Sequence, residues 1–159
     1  MSASDNSRVL LEVSTTNGFS LARKVLLTEF RVTEYVEALG CTVGEELLKV
    51  HTSYLTVIQA ALAAFPINGI AHITGGGLIG NTKRLLTDNQ SVKIDWNAWK
   101  IPPVFNLIKK IGDVPDEDMR RTFNLGIGLV FIVGKQWADP LQAYLREKNY
   151  QSYRIGEIV

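Results

Sequence analysis

Three consecutive glycines, Gly75, Gly76 and Gly77, stand where an apolar stretch gives way to a helical pattern in the sequence INGIAHITGGGLIGNTKRLL. The first backbone N–H groups of a helix have no intrahelical partner and lie at the positive end of the helix dipole. Glycines let an anion approach those groups closely. The pattern therefore predicts a phosphate site that needs no basic side chain. A tight strand-to-helix turn without a ligand is the alternative.

The same glycines also match a dinucleotide-binding pattern. Gly75, Gly77 and Gly80 satisfy G-x-G-x-x-G after a predicted strand, and Asp95 follows Gly75 at about the 20-residue distance typical of a ribose-binding acid. The strand before such a loop is usually almost wholly apolar, whereas this one carries His72. A small NAD-type domain stays open as an interpretation. A Walker loop is excluded because no Gly-Lys-Ser/Thr follows at the required spacing.

A second turn, in the sequence TTNGFS, joins a predicted strand to a predicted helix. Asn17, Gly18 and Ser20 offer an amide, an adaptable backbone and a hydroxyl beside the unpaired N–H groups of the helix start. Two such turns in one domain would be able to face one anion. An ordinary helix cap is the alternative for this turn when it is taken alone.

A third segment, RTFNLGIG, places Gly126 and Gly128 at alternate positions where a bulky apolar strand begins. Glycine weakens a strand and often marks close approach of a ligand or of another backbone. Asn124 adds an amide at the same place. The pattern supports a ligand contact about as well as the alternative, which is a β-bulge or a tight packing contact with a helix.

Histidine and cysteine content gives little support for metal chemistry. His51 and His72 are the two histidines, and Cys41 is the single cysteine. We therefore expect no metal site and no intramolecular disulfide. His72 lies two residues before Thr74, so on a strand both side chains would point toward the same side as the glycine loop. No pattern suggests a Ser-His-Asp relay or an activated cysteine, and we assign no catalytic base.

Composition is typical of one globular domain. The chain has 159 residues, of which 46% are hydrophobic, and its 17 Lys and Arg against 16 Asp and Glu give a formal charge of +1. Such a balance provides no field that would attract nucleic acid. The longest apolar run, 124–134, is too short to cross a membrane. The polar start, MSASDNS, has no apolar signal segment, so we expect a flexible tail over 1–8 and a cytoplasmic protein.

Hydrophobic spacing predicts strands that alternate with helices. Strands are predicted at 8–14, from Ile67 to the glycines, and at 91–96, 124–133 and 153–159. Helices are predicted at 19–30, at 54–65, from the glycine loop to 86, at 102–111, from 115, and with Asp139-Pro140 in a first turn. This order favours an α/β or α+β layered fold, with a mixed sheet covered by helices on at least one face.

Five segments together resemble one family. They are TNGFSLARKVL, GIAHITGGGLIGN, WKIPPVF, RTFNLGIGLVFIV and RIGEIV. They occur in the order found in the C-terminal domain of aminoimidazole ribonucleotide (AIR) synthetase, also called phosphoribosylformylglycinamidine cyclo-ligase, and the likeness covers 9–159. The resemblance implies an α/β layered domain that is partly ferredoxin-like. It also implies a neighbouring N-terminal domain that forms a homodimer and holds most of the ATP site.

The resemblance implies a reaction of de novo purine biosynthesis. In the family, ATP phosphorylates the formyl amide oxygen of formylglycinamidine ribonucleotide. The amidine nitrogen then attacks the activated carbon and closes the imidazole ring with loss of phosphate. The residues that match the family's motifs would bind this substrate or its phosphate, or border the same cleft: Asn17, Gly18, Ser20, His72, Thr74, Gly75, Gly76, Gly77, Asn124 and Gly126.

The chain departs from the family in two ways. The ATP-binding lysine and the Mg²⁺-binding acids of the family belong to the N-terminal domain, which has no counterpart in this sequence. We therefore expect a substrate-binding half that is inactive alone. The family usually places Gly-Leu-His before the Asn-Gly turn, whereas here the shorter connection Val13-Ser14-Thr15-Thr16 precedes it. The dinucleotide domain, or a free-standing non-catalytic ligand-binding or interaction module, are the alternative interpretations.

Overall fold

A computed structural model of the chain describes residues 8–14, 19–49 and 53–159. The side chains of residues 8, 11–14 and 19–21 lie outside that description. The strands are β1 (Arg8–Ser14), β2 (Tyr35–Val36), β3 (Cys41–Thr42), β4 (Ile67–His72), β5 (Val92–Ile94), β6 (Ile127–Gly134) and β7 (Ser152–Ile158). The helices are α1 (Phe19–Glu29), α2 (Val43–Leu47), α3 (Leu55–Ala64), α4 (Gly77–Lys83), α5 (Pro103–Gly112), α6 (Asp116–Thr122) and α7 (Lys135–Glu147).

Five of these strands form one sheet in the order β4-β6-β1-β7-β5. Each neighbouring pair in it runs antiparallel, so the sheet is antiparallel where a mixed sheet was expected. The short strands β2 and β3 form a separate antiparallel pair. The layered α/β prediction itself is confirmed, since helices cover the sheet.

The core has two parts, one on each face of the sheet. Strand β6 shows the division most clearly, because its side chains alternate between the two faces. Val130 and Ile132 join the cluster that includes residues of α1, α4, α5 and α6. Leu129, Phe131 and Val133 join the cluster formed with α3 and α7. Both faces of this strand are buried, which explains its continuous apolar sequence IGLVFIVG.

A ferredoxin-like unit can be traced within the fold. The elements β1, α3, β4, β6, α7 and β7 follow one another as β-α-β-β-α-β, and their four strands are adjacent in the sheet. Both helices of this unit pack on the same face. Strand β5 and the helices of the opposite face are additions to it, which is the sense in which the ferredoxin likeness is partial.

Residues 35–47 form elements that hydrophobic periodicity did not predict. Thr42 accepts a hydrogen bond from the N–H of Glu45, and the Glu45 carboxylate accepts one from the N–H of Thr42. This reciprocal arrangement is a capping box, and it starts the five-residue helix α2. The hydrogen bonds that the Glu45 carboxylate accepts from the N–H and from the hydroxyl of Thr42 lower the pKa of Glu45. The Thr-x-x-Glu spacing was therefore a readable signal for a helix too short to show a period.

One predicted helix start was wrong. Helix α7 begins at Lys135, so Pro140 lies inside the helix instead of in its first turn. The preceding strand ends at Gly134, and the helix follows without a loop. Helix α3 begins at Leu55 with Tyr54 at its N-cap, in agreement with the helix predicted at 54–65. Across the described residues, no helix is both long and apolar enough to cross a membrane.

Candidate functional site

Two of the predicted site segments lie side by side at one end of the sheet, where β4 ends and β6 begins. Strand β4 runs antiparallel to β6, with His72 opposite Leu129 near the end of the one and the start of the other. The pairing continues beyond β4, because the N–H of Ile73 donates to the carbonyl of Gly128 at 2.8 Å. Thr74 and the glycine loop therefore leave the sheet beside the residues that begin β6.

Strand β1 also finishes at this end of the sheet, since Ser14 lies opposite Ile127. Helix α1 begins at Phe19, directly after the sequence positions of Asn17 and Gly18. Both of these predicted residues lie outside the described part of the chain. Ser20 lies in the first turn of α1, but its side chain is also outside the description. The last residues of β1 and β4 and the first residues of β6 therefore lie at one end of the sheet, as the prediction of a shared cleft requires.

The three glycines of the loop occupy different environments. Gly76 and Gly77 have φ of 100° and 64°, in the left-handed region that favours glycine. A Cβ on Gly77 would lie 1.9 Å from the carbonyl oxygen of Arg120, so α6 packs directly against this glycine. A Cβ on Gly75 would meet nothing within 4 Å. Gly75 is therefore the glycine with open space above its backbone, where a ligand would be able to approach.

The side chain of Asn81 hydrogen-bonds to the backbone of the glycine loop. Its Nδ2 donates to the carbonyl oxygens of Gly77 at 2.8 Å and of Thr74 and Gly75 at 3.3 Å each. The side chain is buried. Sequence reasoning did not single out Asn81. The available signal was an amide four residues after Gly77, since helical residues at this spacing share a face.

A tight turn precedes β6 on the other side of the candidate cleft. Leu125 and Gly126 both have positive φ, 53° and 98°, and the N–H of Ile127 donates to the carbonyl of Asn124 at 2.9 Å. The buried Asn124 side chain accepts a hydrogen bond from the N–H of Gly126 at 3.1 Å. A leucine in the left-handed region is strained, and such residues concentrate at functional sites. The segment predicted as the start of a strand is a shaped turn.

Trp99 holds this turn in place. Its indole Nε1 donates to the carbonyl of Leu125 at 2.9 Å, and both residues are buried. A Cβ on Gly126 would lie 2.6 Å from Cδ of Pro102, three residues after Trp99. The packing interpretation of Gly126 is therefore supported, because Pro102 is the N-cap of α5. The motif WKIPPVF thus supports the turn in RTFNLGIG.

Replacing Trp99 by phenylalanine tests this support. We expect Trp99→Phe to lower the free energy of unfolding by about 1–3 kcal/mol, because the buried Leu125 carbonyl loses its donor. The half-exposed Trp137 on α7 provides the control, and Trp137→Phe is expected to change stability by less than about 1 kcal/mol. Urea denaturation followed by far-UV circular dichroism measures both. Equal losses in the two variants would contradict a special role for the indole N–H.

His72 and Thr74 have different neighbours. The exposed His72 ring meets the ring of Tyr54 edge-on, with 5.8 Å between their centroids, and Tyr54 belongs to the core on the α3 and α7 face. Thr74 instead donates its hydroxyl to Oδ1 of Asn81 at 3.4 Å, in a helix that packs on the opposite face. The prediction that both side chains share one orientation is wrong, because β4 ends at His72 and strand alternation does not extend to Thr74.

A cavity of about 180 Å³ lies beside the turn, with Leu125 in its lining. The guanidinium of Arg120 lies 4.5 Å above the ring of Trp96, which is an attractive cation–π arrangement. The ammonium of Lys109 lies 2.7 Å from Asp116 and lowers the pKa of that carboxyl group. The cavity therefore combines an aromatic surface with charges of both signs next to the candidate cleft.

The dinucleotide interpretation is inconsistent with this geometry. It requires a parallel β-α-β unit, whereas the pairings of β4 and β5 are antiparallel and the two strands lie at opposite edges of the sheet. Asp95 is therefore remote from the glycine loop in the sheet order. A Cβ on Gly80 would meet nothing within 4 Å, so the third glycine of the pattern makes no close packing contact. The match to G-x-G-x-x-G is accidental.

Within the described ranges, no group of three or more His, Cys, Asp or Glu side chains is arranged to hold a metal ion. Cys41 donates to the carboxylate of Glu46 at 3.5 Å, and burial together with that carboxylate raises the pKa of the thiol. A raised pKa keeps the thiol protonated and poorly nucleophilic. His51 lies outside the described residues.

Solved structures define the class of fold. Thiamine-monophosphate kinase from Stenotrophomonas maltophilia K279a superposes with a TM-score of 0.65 at 16% identity, covering 96% of this chain and 47% of that chain. The hydrogenase maturation protein HypE of E. coli gives a TM-score of 0.62 at 18% identity, covering 100% of this chain and 44% of that chain. At these identities the likeness shows a shared fold alone.

The family follows from the sequence comparison. The family model described as AIR synthase related protein, C-terminal domain, matches residues 14–159. The chain therefore belongs to this family, and the resemblance seen in the five motifs is confirmed.

Relatives with the name phosphoribosylformylglycinamidine cyclo-ligase give the same result. The relative from Alkaliphilus oremlandii (strain OhILAs) is 41% identical over 145 residues, which cover 90% of this chain and 42% of the relative. The relative from Pseudothermotoga lettingae is 42% identical over 143 residues, with 90% and 42% coverage. The chain thus spans about two fifths of the length of these relatives and corresponds to their C-terminal part.

Proposed function

We propose that this chain is the substrate-binding half of an ATP-dependent cyclo-ligase that converts formylglycinamidine ribonucleotide to aminoimidazole ribonucleotide in de novo purine biosynthesis. One observation carries the proposal. In this member of the family, the glycine loop that follows β4 and the Asn124 turn that precedes β6 lie at the same end of two adjacent strands. The names of the relatives supply the reaction and the substrate class.

The role proposed for the described residues is binding and orientation. The open backbone at Gly75, with the neighbouring Gly76, receives the phosphate of the ribonucleotide, while the turn at Asn124 and Gly126 borders the rest of the ligand. His72, at the end of β4, faces solvent beside the loop. Ring closure depends on holding the amidine nitrogen close to the carbon it attacks, and positioning of this kind lowers the barrier substantially. We propose no catalytic base among these residues.

The complete enzyme is expected to use ATP and Mg²⁺, and we place both mainly in the part of the relatives that this chain does not span. We further propose that the chain alone does not turn over, that it requires the N-terminal part in cis or in trans, and that the complete enzyme is a cytoplasmic homodimer.

Thermal unfolding tests the ligand class. We expect inorganic phosphate and formylglycinamidine ribonucleotide to raise the melting temperature of the chain, whereas NAD does not. A ligand at about 100 times its Kd stabilises the native state by about 2.7 kcal/mol, or very roughly 5–10 °C for a domain of this size. Scanning calorimetry with each ligand measures the effect. An increase with NAD and none with the two phosphate ligands would contradict the proposal.

Reconstitution separates an enzyme half from a binding module. The chain is mixed with the N-terminal part of a cyclo-ligase relative, and ATP-dependent formation of aminoimidazole ribonucleotide is measured. Our proposal predicts product only when both parts are present. If the two parts associate and this chain binds the substrate, but no ring closure follows, the chain is a non-catalytic binding module.

A further inference from the structure

The polar atoms of Asn81 are directed into the glycine loop. Three carbonyl oxygens surround its Nδ2, those of Thr74, Gly75 and Gly77, at 2.8–3.3 Å. Its Oδ1 accepts from the Thr74 hydroxyl at 3.4 Å. Carbonyl oxygens cannot donate, so this environment fixes which amide atom is the nitrogen. The side chain is only 5% exposed.

The arrangement has an electrostatic consequence for the loop. A peptide carbonyl is the negative end of the peptide dipole, and an anion near it is repelled. Asn81 binds three such carbonyls on the protein side of the loop. These three carbonyls are thus held by a buried side chain, whereas a Cβ on Gly75 would meet nothing within 4 Å.

We propose that Asn81 is the positioning residue of the phosphate-binding loop, holding the carbonyls of Thr74, Gly75 and Gly77 inward so that the loop accepts a phosphoribosyl anion. The inference rests on the proposed function of the loop. Asn81 itself makes no contact with the ligand and takes part in no bond-making step. Its effect is expressed through the backbone of residues 74–77.

The nearly isosteric substitution Asn81→Asp is the sharpest test. A carboxylate oxygen would replace the donor Nδ2 and face the same three carbonyls, so the loop has to rearrange. We expect the Kd for formylglycinamidine ribonucleotide to rise at least about tenfold, because an unpaired buried polar group is costly. Isothermal titration calorimetry measures the Kd, and circular dichroism verifies the fold. A folded Asn81→Asp variant that binds within about twofold of the unchanged chain would overturn the inference.

Thr82 provides the matched control. It is the next residue of α4, it is buried, and its Oγ1 has no hydrogen-bond partner. Thr82→Val removes that unpaired hydroxyl while keeping the shape of the side chain, so we expect unchanged binding and no loss of stability. An equal loss of affinity in Thr82→Val and Asn81→Asp would show a general disturbance of α4 and would overturn the positioning role.

A readout without ligand distinguishes this inference from the proposed function. Backbone ¹⁵N order parameters of Gly75 and Gly76 are expected to fall in Asn81→Ala from a rigid value of about 0.85 to below about 0.6, with β6 unchanged. Unchanged order parameters would overturn the positioning role. If Asn81→Asp does not fold, Asn81→Ala replaces it in the affinity measurement. If the unchanged chain binds no phosphoribosyl ligand, the proposed function fails, and the order parameters still decide whether Asn81 positions the loop.

Discussion

Gly77→Ala is expected to destabilise the chain by roughly 3 kcal/mol or more. Two effects combine at this position. The backbone has φ of 64°, where an L side chain is strained by about 1–2 kcal/mol. The new Cβ would also lie 1.9 Å from the carbonyl oxygen of Arg120, so α4 and α6 would have to separate. For a domain of this size the melting temperature should fall by roughly 6–12 °C.

Gly80→Ala is the matched control for this substitution. Gly80 lies three residues further along the same helix, where a Cβ would meet nothing within 4 Å. Alanine is a better helix former than glycine, so we expect a gain of about 0.5–1 kcal/mol. Calorimetric unfolding of both variants gives the comparison. Similar melting temperatures for Gly77→Ala and Gly80→Ala would show that α6 does not pack on Gly77 as described.

Gly126→Ala should also be strongly destabilising, by about 2–4 kcal/mol. Its φ is 98°, and a Cβ would lie 2.6 Å from Cδ and 2.9 Å from Cγ of Pro102. A proline ring cannot move aside as a long flexible side chain can. The start of α5 or the turn before β6 therefore has to shift. Chemical denaturation measures the change in the free energy of unfolding.

A double substitution separates the two causes at Gly126. In the Pro102→Ala background the ring atoms that would clash are absent, while the positive φ remains. We expect Gly126→Ala to cost at least about 1 kcal/mol less in that background than in the unchanged chain. Equal costs in the two backgrounds would assign the whole effect to backbone strain and would contradict the close contact between Pro102 and Gly126.

The sequence was most informative where the periodicity is long and uninterrupted. The strand predicted at 8–14 and the helix predicted at 102–111 agree with β1 and α5. The turn at Asn124 was not predicted as a turn. Leu125 adopts a positive φ there that leucine disfavours, and the hydrogen bond from Trp99 that holds it comes from 26 residues earlier in the chain. No local pattern encodes that contact.

In the candidate site, too, some features were predictable from the local sequence and others depend on distant contacts. The glycine triplet was found from the sequence, because glycines at a strand-to-helix junction have few local explanations. Which glycine serves packing and which leaves open space depends on α6, whose carbonyl at Arg120 lies against Gly77. Asn81 was missed because an asparagine inside a helical pattern usually suggests weaker helix formation, and its three carbonyl partners are visible only in three dimensions.

We propose that a phosphoribosyl ligand binds at the end of the sheet where the glycine loop lies beside the turn before β6. Titration of the ¹⁵N-labelled chain with formylglycinamidine ribonucleotide, followed by amide resonances, tests it most directly. We expect saturable shifts at Gly75, Gly76 and Gly126. Saturating ligand that leaves these three amides unchanged, or that shifts only residues of the groove along β5 and β7 such as Lys93 and Arg154, would contradict it.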